Sequence, residues 1–248
     1  MKKLIMLCAL ILLPLVSCED IIDSDQNIVK EKVVYNHVLE DQSNSVIKPL
    51  KTGNIWIYDV YTYDSQNTSQ FEKNIDTLIV LDQIEIKDEK WFKLNKKTPH
   101  GFRFLTNTDK GLFQNCNCPD DGTDNDIIIL KAQYPAKIGD KNIGQTNPVL
   151  ISDQDGFHVV HESSMIQVLS AIESISVNNK IYDNCYQYTT YGDVTDNNGN
   201  IIIRDTLFVD YYSPNIGLIK SIFFYNKRDS NYQKIPRIVM ELKDYELK

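Results

Sequence analysis

From Pro49 to the C-terminus the chain alternates apolar and polar residues with a period of two, and no apolar stripe of helical period is sustained there. That property constrains the fold most. Strand side chains point alternately to opposite faces, whereas a helix repeats every three to four residues. The run Gly53-Asn54-Ile55-Trp56-Ile57-Tyr58-Asp59-Val60-Tyr61-Thr62-Tyr63 is the clearest case, with Trp56, Tyr58 and Val60 on one face. β-Branched and aromatic residues suit a pleated, half-buried surface. The same reading predicts strands at 76–86, 91–94, 102–106, 111–114, 127–132 and 157–161, then at 166–177, 182–190, 201–212, 217–224 and 235–242. Turn residues punctuate them: Asp88-Glu89, Pro99-His100-Gly101, Asp121-Gly122, Asp155-Gly156, Asn178-Asn179 and Asn198-Gly199. Asn-Gly between alternating runs is a strong hairpin signal, so 186–191 and 201–211 are expected to form one long hairpin. About a dozen short strands at this spacing predict an all-β domain, an antiparallel sandwich, barrel or half-barrel. No exact repeat is visible. Residues 49–248 read as a single β-rich domain, with 140–155 its one plausible seam.

The N-terminus has a different character. Met1-Lys2-Lys3 is a short basic start, and a nearly unbroken apolar run follows from Leu4 to Leu15. This is the layout of a secretory signal, and it is shorter than the roughly 20 apolar residues a spanning helix needs. The run closes on Leu15-Val16-Ser17-Cys18, which resembles the lipobox of bacterial lipoproteins. The resemblance implies a signal peptide over 1–17, cleavage after Ser17, and fatty-acyl chains such as palmitate on Cys18 as the new N-terminus. The alternative is an ordinary signal cleaved a few residues further on, leaving Cys18 a free thiol. Two or more chains make an anchor effectively permanent.

Residues 18–48 read as an acidic tether. Glu19, Asp20, Asp23 and Asp25 follow the lipid site directly. As flexible coil, some 30 residues reach about 30 Å. Within it Val33-Val34-Tyr35 and Val38-Leu39 read as a first strand or a short helix. Acids just after a lipidated cysteine also resemble the signal that exports lipoproteins to the outer face of some Gram-negative outer membranes. The expected location is therefore that membrane, on its periplasmic face or at the cell surface.

Loss of 1–17 removes Lys2 and Lys3 and no acid, leaving 24 basic against 34 acidic side chains. That balance disfavours nucleic acid and polybasic membrane contact. Of five cysteines, Cys8 leaves with the signal and Cys18 carries the lipid. Cys116, Cys118 and Cys185 are disulfide candidates outside the cytoplasm. A bridge from Cys116 or Cys118 to Cys185 is more plausible than the small ring joining the first two.

Four segments, in order, resemble a family of uncharacterised all-β envelope lipoproteins. They are Pro49-Leu50-Lys51-Thr52-Gly53-Asn54-Ile55-Trp56-Ile57-Tyr58, an opening strand; Ile86-Lys87-Asp88-Glu89-Lys90-Trp91-Phe92-Lys93-Leu94, a hairpin in which Glu89 replaces the usual Gly; Ile175-Ser176-Val177 with Tyr182-Asp183-Asn184-Cys185-Tyr186; and Tyr212-Ser213-Pro214-Asn215-Ile216-Gly217-Leu218-Ile219-Lys220. The resemblance implies a fold and a location and carries no catalytic residue. Physically, Trp56, Tyr58 and Trp91 are core residues first, with ligand stacking the alternative.

Candidate chemistry is sparse. His158 and His161 lie three apart in a predicted strand, on opposite faces, and His-Glu-x-x-His is absent. Asp120, Asp121, Asp124 and Asp126 give a loop rich in the oxygens calcium prefers, without helix-loop-helix spacing. Asp76-Thr77-Leu78 and Asp205-Thr206-Leu207 resemble an O-glycosylation acceptor of some Gram-negative envelopes, which makes Thr77 and Thr206 candidates. No zinc set, nucleophile elbow or phosphate-cradling loop is present, so no cofactor is expected. The sequence reads as a lipid-anchored, non-enzymatic binding module for a glycan, peptide or envelope protein. The alternatives are an accessory subunit of an outer-membrane complex and a glycan-acting hydrolase using paired carboxylates.

Overall fold

A computed structural model describes residues 39, 41, 45–64, 69–86, 89–96, 103–115, 128–152, 158–195, 201–228 and 234–248. Twelve strands follow one another: β1 (Ile55–Tyr63), β2 (Phe71–Ile86), β3 (Glu89–Leu94), β4 (Phe104–Thr108), β5 (Gly111–Asn115), β6 (Ile128–Gln133), β7 (Lys141–Ser152), β8 (His158–Val177), β9 (Lys180–Thr195), β10 (Ile201–Ser213), β11 (Gly217–Arg228) and β12 (Lys234–Glu246). All belong to one antiparallel sheet of order β6-β5-β4-β3-β2-β1-β12-β11-β10-β9-β8-β7. Chain neighbours pair throughout, and the first strand also pairs with the last, Tyr58 opposite Leu242 and Val60 opposite Met240. The sheet curls into a nearly closed barrel with β6 and β7 at its two edges.

The Asn198-Gly199 signal held: β9 and β10 pair from Thr195 opposite Ile201 to Tyr186 opposite Tyr212. Asn178 and Asn179 both take positive φ, 49° and 62°, between β8 and β9, the backbone of a tight hairpin turn. Two readings need correction. The stretches 157–161 and 166–177 are one strand, β8, and residues 141–152 form β7 where the sequence suggested a seam. β7 carries Gly144 and Pro148, which weaken any strand signal. Proline is tolerated there because β7 is an edge.

The open edge is closed by side chains. Asn142 Nδ2 donates to Leu130 O at 2.9 Å, Gln167 Nε2 to Lys131 O at 2.8 Å, and the Tyr188 hydroxyl to Gln133 O. Carbonyls on the edge strand β6 thus receive donors from β7, β8 and β9 in place of a ladder.

A barrel widens with strand number, and about eight strands already enclose a space that side chains just fill. Twelve need more filling. Large rings supply part of it: Trp56, Tyr58, Tyr182, Tyr188 and Tyr212 are all buried in the main core. Each removes roughly 150–250 Å² from water, worth about 4–6 kcal/mol as an upper estimate. A strap ahead of β1 supplies the rest. Val46, Ile47, Lys48 and Leu50 are buried without being in a strand. Asn215 in the β10–β11 turn ties the strap down, its N–H donating to Val46 O at 2.8 Å. Packing therefore reaches back to Val46, inside the stretch read as tether. On the opposite face of β2–β6, Trp91, Phe104 and Phe113 form a smaller cluster with Ile84, Ile86, Ile128 and Leu130.

Candidate functional site

The buried residues are mostly apolar, with amides and hydroxyls such as Asn107, Gln114 and Ser221 and a few charges among them, and at Lys131 local backbone geometry puts the charge there. In β6 the register against β5 slips, so that Leu112 faces Ala132 and Phe113 faces Leu130. The slip is a bulge at Lys131, and a bulge re-aims a side chain. Leu130 packs with the outer cluster and Ala132 with the main core, while Lys131 turns inward. Its Nζ lies 2.5 Å from Asp210 Oδ2 and 4.8 Å from the Phe208 ring centroid. Ser221 Oγ donates to the other Asp210 oxygen at 2.5 Å. Burial pulls the Lys131 ammonium below the ordinary lysine range, and Asp210 opposes that pull.

Lys48 is the second buried cation. Its side chain, 3% exposed, runs from the strap past Gly217 and ends 3.6 Å above the Trp56 ring centroid. Desolvation lowers its ammonium to about 7. Trp56 is held by its indole N–H donating to Ile216 O at 2.7 Å, and Tyr58 by its hydroxyl donating to Leu218 O at 3.1 Å. Burial raises the phenols of Tyr58, Tyr188 and Tyr212 above the usual tyrosine range.

Between these groups lies a cavity of about 30 Å³, bordered by Lys48, Tyr58, Gln114, Lys131 and Tyr212 among leucines. It also reaches Asp76, which pairs with Lys96. Pockets for small organic ligands are ten or more times larger. This one has room for a single water-sized guest.

On the outside of the barrel, exposed apolar side chains sit together where β1 and β2 meet. Phe71 is 52% and Ile75 62% exposed. The Phe71 ring lies 5.4 Å from Tyr61 and 5.6 Å from Tyr63. Lys73 stands over Tyr61 and bridges to Asp59 at 3.0 Å.

Cys18, Cys116 and Cys118 and the acidic loop Asp120, Asp121, Asp124 and Asp126 lie outside the described residues. Cys185 is buried in the main core as a free thiol, its Sγ donating to Tyr182 O at 3.3 Å. Burial pushes it up to about 11. Thr77 and Thr206 are half-buried strand residues, and their neighbours Asp76 and Asp205 are held by Lys96 and Lys234. Among the described residues no group of three or more His, Cys, Asp or Glu side chains is placed to hold a metal ion. Trp56, Tyr58 and Trp91 are core, as the alternation implied. Sequence reading missed Lys48, Lys131 and Asp210. The available signal was a lone charge within an apolar strand, as in Ile128-Ile129-Leu130-Lys131-Ala132 and Phe208-Val209-Asp210-Tyr211.

No protein-family model matches the chain, and no curated protein does. Among solved structures, it is similar to a crystal structure of a candidate lipoprotein from Parabacteroides distasonis ATCC 8503, at 14% identity and a TM-score of 0.43. The match covers 81% of this chain and 98% of that one.

Proposed function

We propose that this chain is a lipoprotein held at the outer membrane of a Gram-negative bacterium through acyl chains on Cys18, and that its barrel acts by non-enzymatic binding at its outer surface. The packed core carries the second half of this reading: among the described residues, the cavity beside Tyr58 and Lys131 measures about 30 Å³, roughly a tenth or less of an organic-ligand pocket. Among the described residues the two most buried carboxylates, Asp59 and Asp210, are each engaged by lysine. The outer face supports an aqueous setting. Lys73–Asp59, Lys220–Glu241 and Lys180–Asp244 pairs lie along β1, β2, β9, β11 and β12, whereas a barrel spanning a bilayer carries an apolar band there. The exposed Lys180–Asp244 pair adds little stability, but with the lysines of the other two pairs it puts charge on a face suited to water. The signal layout and the Leu15-Val16-Ser17-Cys18 resemblance supply the anchor, residues 18–48 the tether, whose end already meets the barrel at Leu39 and Val46, and residues 49–248 the binding domain.

The same filled core also favours a second reading, an accessory subunit that contributes shape to an outer-membrane complex. Capture of the tagged full-length chain from detergent-solubilised membranes, paired with retention on cell-surface polysaccharide, separates the two. A stoichiometric outer-membrane protein points to the accessory role, and glycan retention to a free-standing binder. Hydrolysis of the polysaccharide by the purified chain would contradict both.

A further inference from the structure

The barrel is an up-and-down meander, so every second turn lies at the same end. The start of β1, the β4–β5, β6–β7, β8–β9 and β10–β11 turns and the C-terminus share one end. The strap is bound there as well. Asn215 in the β10–β11 turn donates its N–H to Val46 O, and the Leu39 N–H donates to Asn107 O at 3.1 Å beside the β4–β5 turn. The chain that leads back to Cys18 therefore leaves the barrel at this end. Read as coil from their composition, residues 18–38 reach about 25 Å.

The same end carries the two most exposed large apolar side chains among the described residues, Ile181 at 73% and Ile138 at 64%. Fixed turns hold both of them out. Ile138 sits in the β6–β7 turn, which Asp140 closes. The Asp140 N–H donates to Lys137 O at 2.9 Å, and its carboxylate accepts from the Lys137 N–H at 2.8 Å. A Cβ on the next residue, Gly139, would meet no atom within 4 Å, so this tip projects into open space. Ile181 follows the tight Asn178-Asn179 turn, and Asn178 Nδ2 donates to Leu242 O at 3.1 Å, which pins the hairpin to β12. Tyr245, 36% exposed, stands near the end of β12. Single apolar residues scattered over a surface need no explanation, but rigid apolar tips at the tethered end do.

We infer that this end of the barrel rests on the lipid surface that anchors the chain, with Ile138, Ile181 and Tyr245 entering the boundary between phospholipid headgroups and acyl chains. The inference rests on the Cys18 anchor proposed above. Charges at this end are mixed, Lys137, Lys180 and Lys248 with Asp109, Asp244 and Glu246, so apolar insertion rather than attraction to anionic lipid carries the contact. Three side chains bind a membrane only weakly by themselves, and the covalent tether supplies the high local concentration that makes such contact effective. Seating this end on the membrane turns the opposite end, where Phe71 pairs with Tyr63, away from the lipid.

The test uses the acylated full-length chain in vesicles of phosphatidylethanolamine and phosphatidylglycerol, with or without brominated acyl chains that quench an indole entering the bilayer. Trp56 and Trp91 are buried and set a common background. Ile181→Trp, Ile138→Trp and Phe71→Trp each place a reporter at an exposed position. Brominated lipid should lower the emission of Ile181→Trp and Ile138→Trp and leave Phe71→Trp at the background. No quenching at residues 138 and 181, or equal quenching at residue 71, would overturn the docking. Flotation with the vesicles reads the anchor separately. A chain that floats without quenching at either tip keeps the anchor and loses the docking, whereas an unacylated chain that does not float overturns both.

Discussion

Asp210, Lys131 and Lys48 hold the most consequential electrostatics in the molecule. Breaking a buried pair by removing one partner strands the other charge, at a cost of about 3–5 kcal/mol. Lys131→Met and Asp210→Asn should each lower the urea-derived stability by that amount, and the double variant should recover part of the loss. Simple additivity would mean the pair is uncoupled. Lys48 makes a separate prediction in pH. Its folded value of about 7 lies below its ordinary 10.5. Between those values the unfolded chain binds a proton that the folded chain does not, so stability rises with pH across that range. The buried phenols of Tyr58, Tyr188 and Tyr212 act oppositely above about 10, and Lys131, Asp210, Asp76 and Lys96 are the charged groups around the same cavity. The unaltered chain should gain stability relative to Lys48→Met as pH goes from 7 toward 10. A constant difference in melting temperature would contradict the assignment. The pattern of apolar and polar positions marks Lys131 and Asp210 only as lone charges within apolar strands and says nothing of their partners. They depend on a one-residue bulge and on strands that meet only in the folded state.

Among the strands, the β6–β7 edge is the distinctive element. Its closure rests on side chains, so Gln167→Leu should remove the donor that Gln167 gives the Lys131 carbonyl, at a cost of about 1–3 kcal/mol. Hydrogen exchange should then speed up in β6 and β7 more than in β1 or β12; uniform acceleration would show that the edge opens only with the whole barrel. The β5 entry is tighter still. A Cβ on Gly111 would lie 2.1 Å from Ala132 O, at a φ of +128°. Gly111→Ala should therefore cost on the order of 2–4 kcal/mol in urea unfolding. Strand existence was legible wherever aromatic and β-branched residues alternate, and the Asn-Gly signal placed the β9–β10 hairpin. The pattern failed at β7, whose Gly144 and Pro148 are tolerable only on an edge. It also began β2 at Asp76, because the exposed start Phe71–Ile75 carries the polar run Glu72-Lys73-Asn74, which masks the alternation.

For the whole molecule, all-β character was evident and closure was not. Pairing β1 with β12 joins Ile55 to Glu246 across nearly the full chain, and no local residue pattern specifies that contact. The strap was equally hidden: Val46, Ile47 and Lys48 read as the end of a polar tether until the barrel supplies the cavity they fill. The fold is a nearly closed, packed β-barrel, and the central proposal about it is the covalent anchor at Cys18. Mass spectrometry of the N-terminal peptide, from protein purified out of native membranes, tests it most directly. The account predicts that the peptide begins at Cys18 and carries the mass of two or three acyl chains, all lost when Cys18→Ala is introduced. A mature chain that begins elsewhere, or that retains an unmodified Cys18, would contradict it.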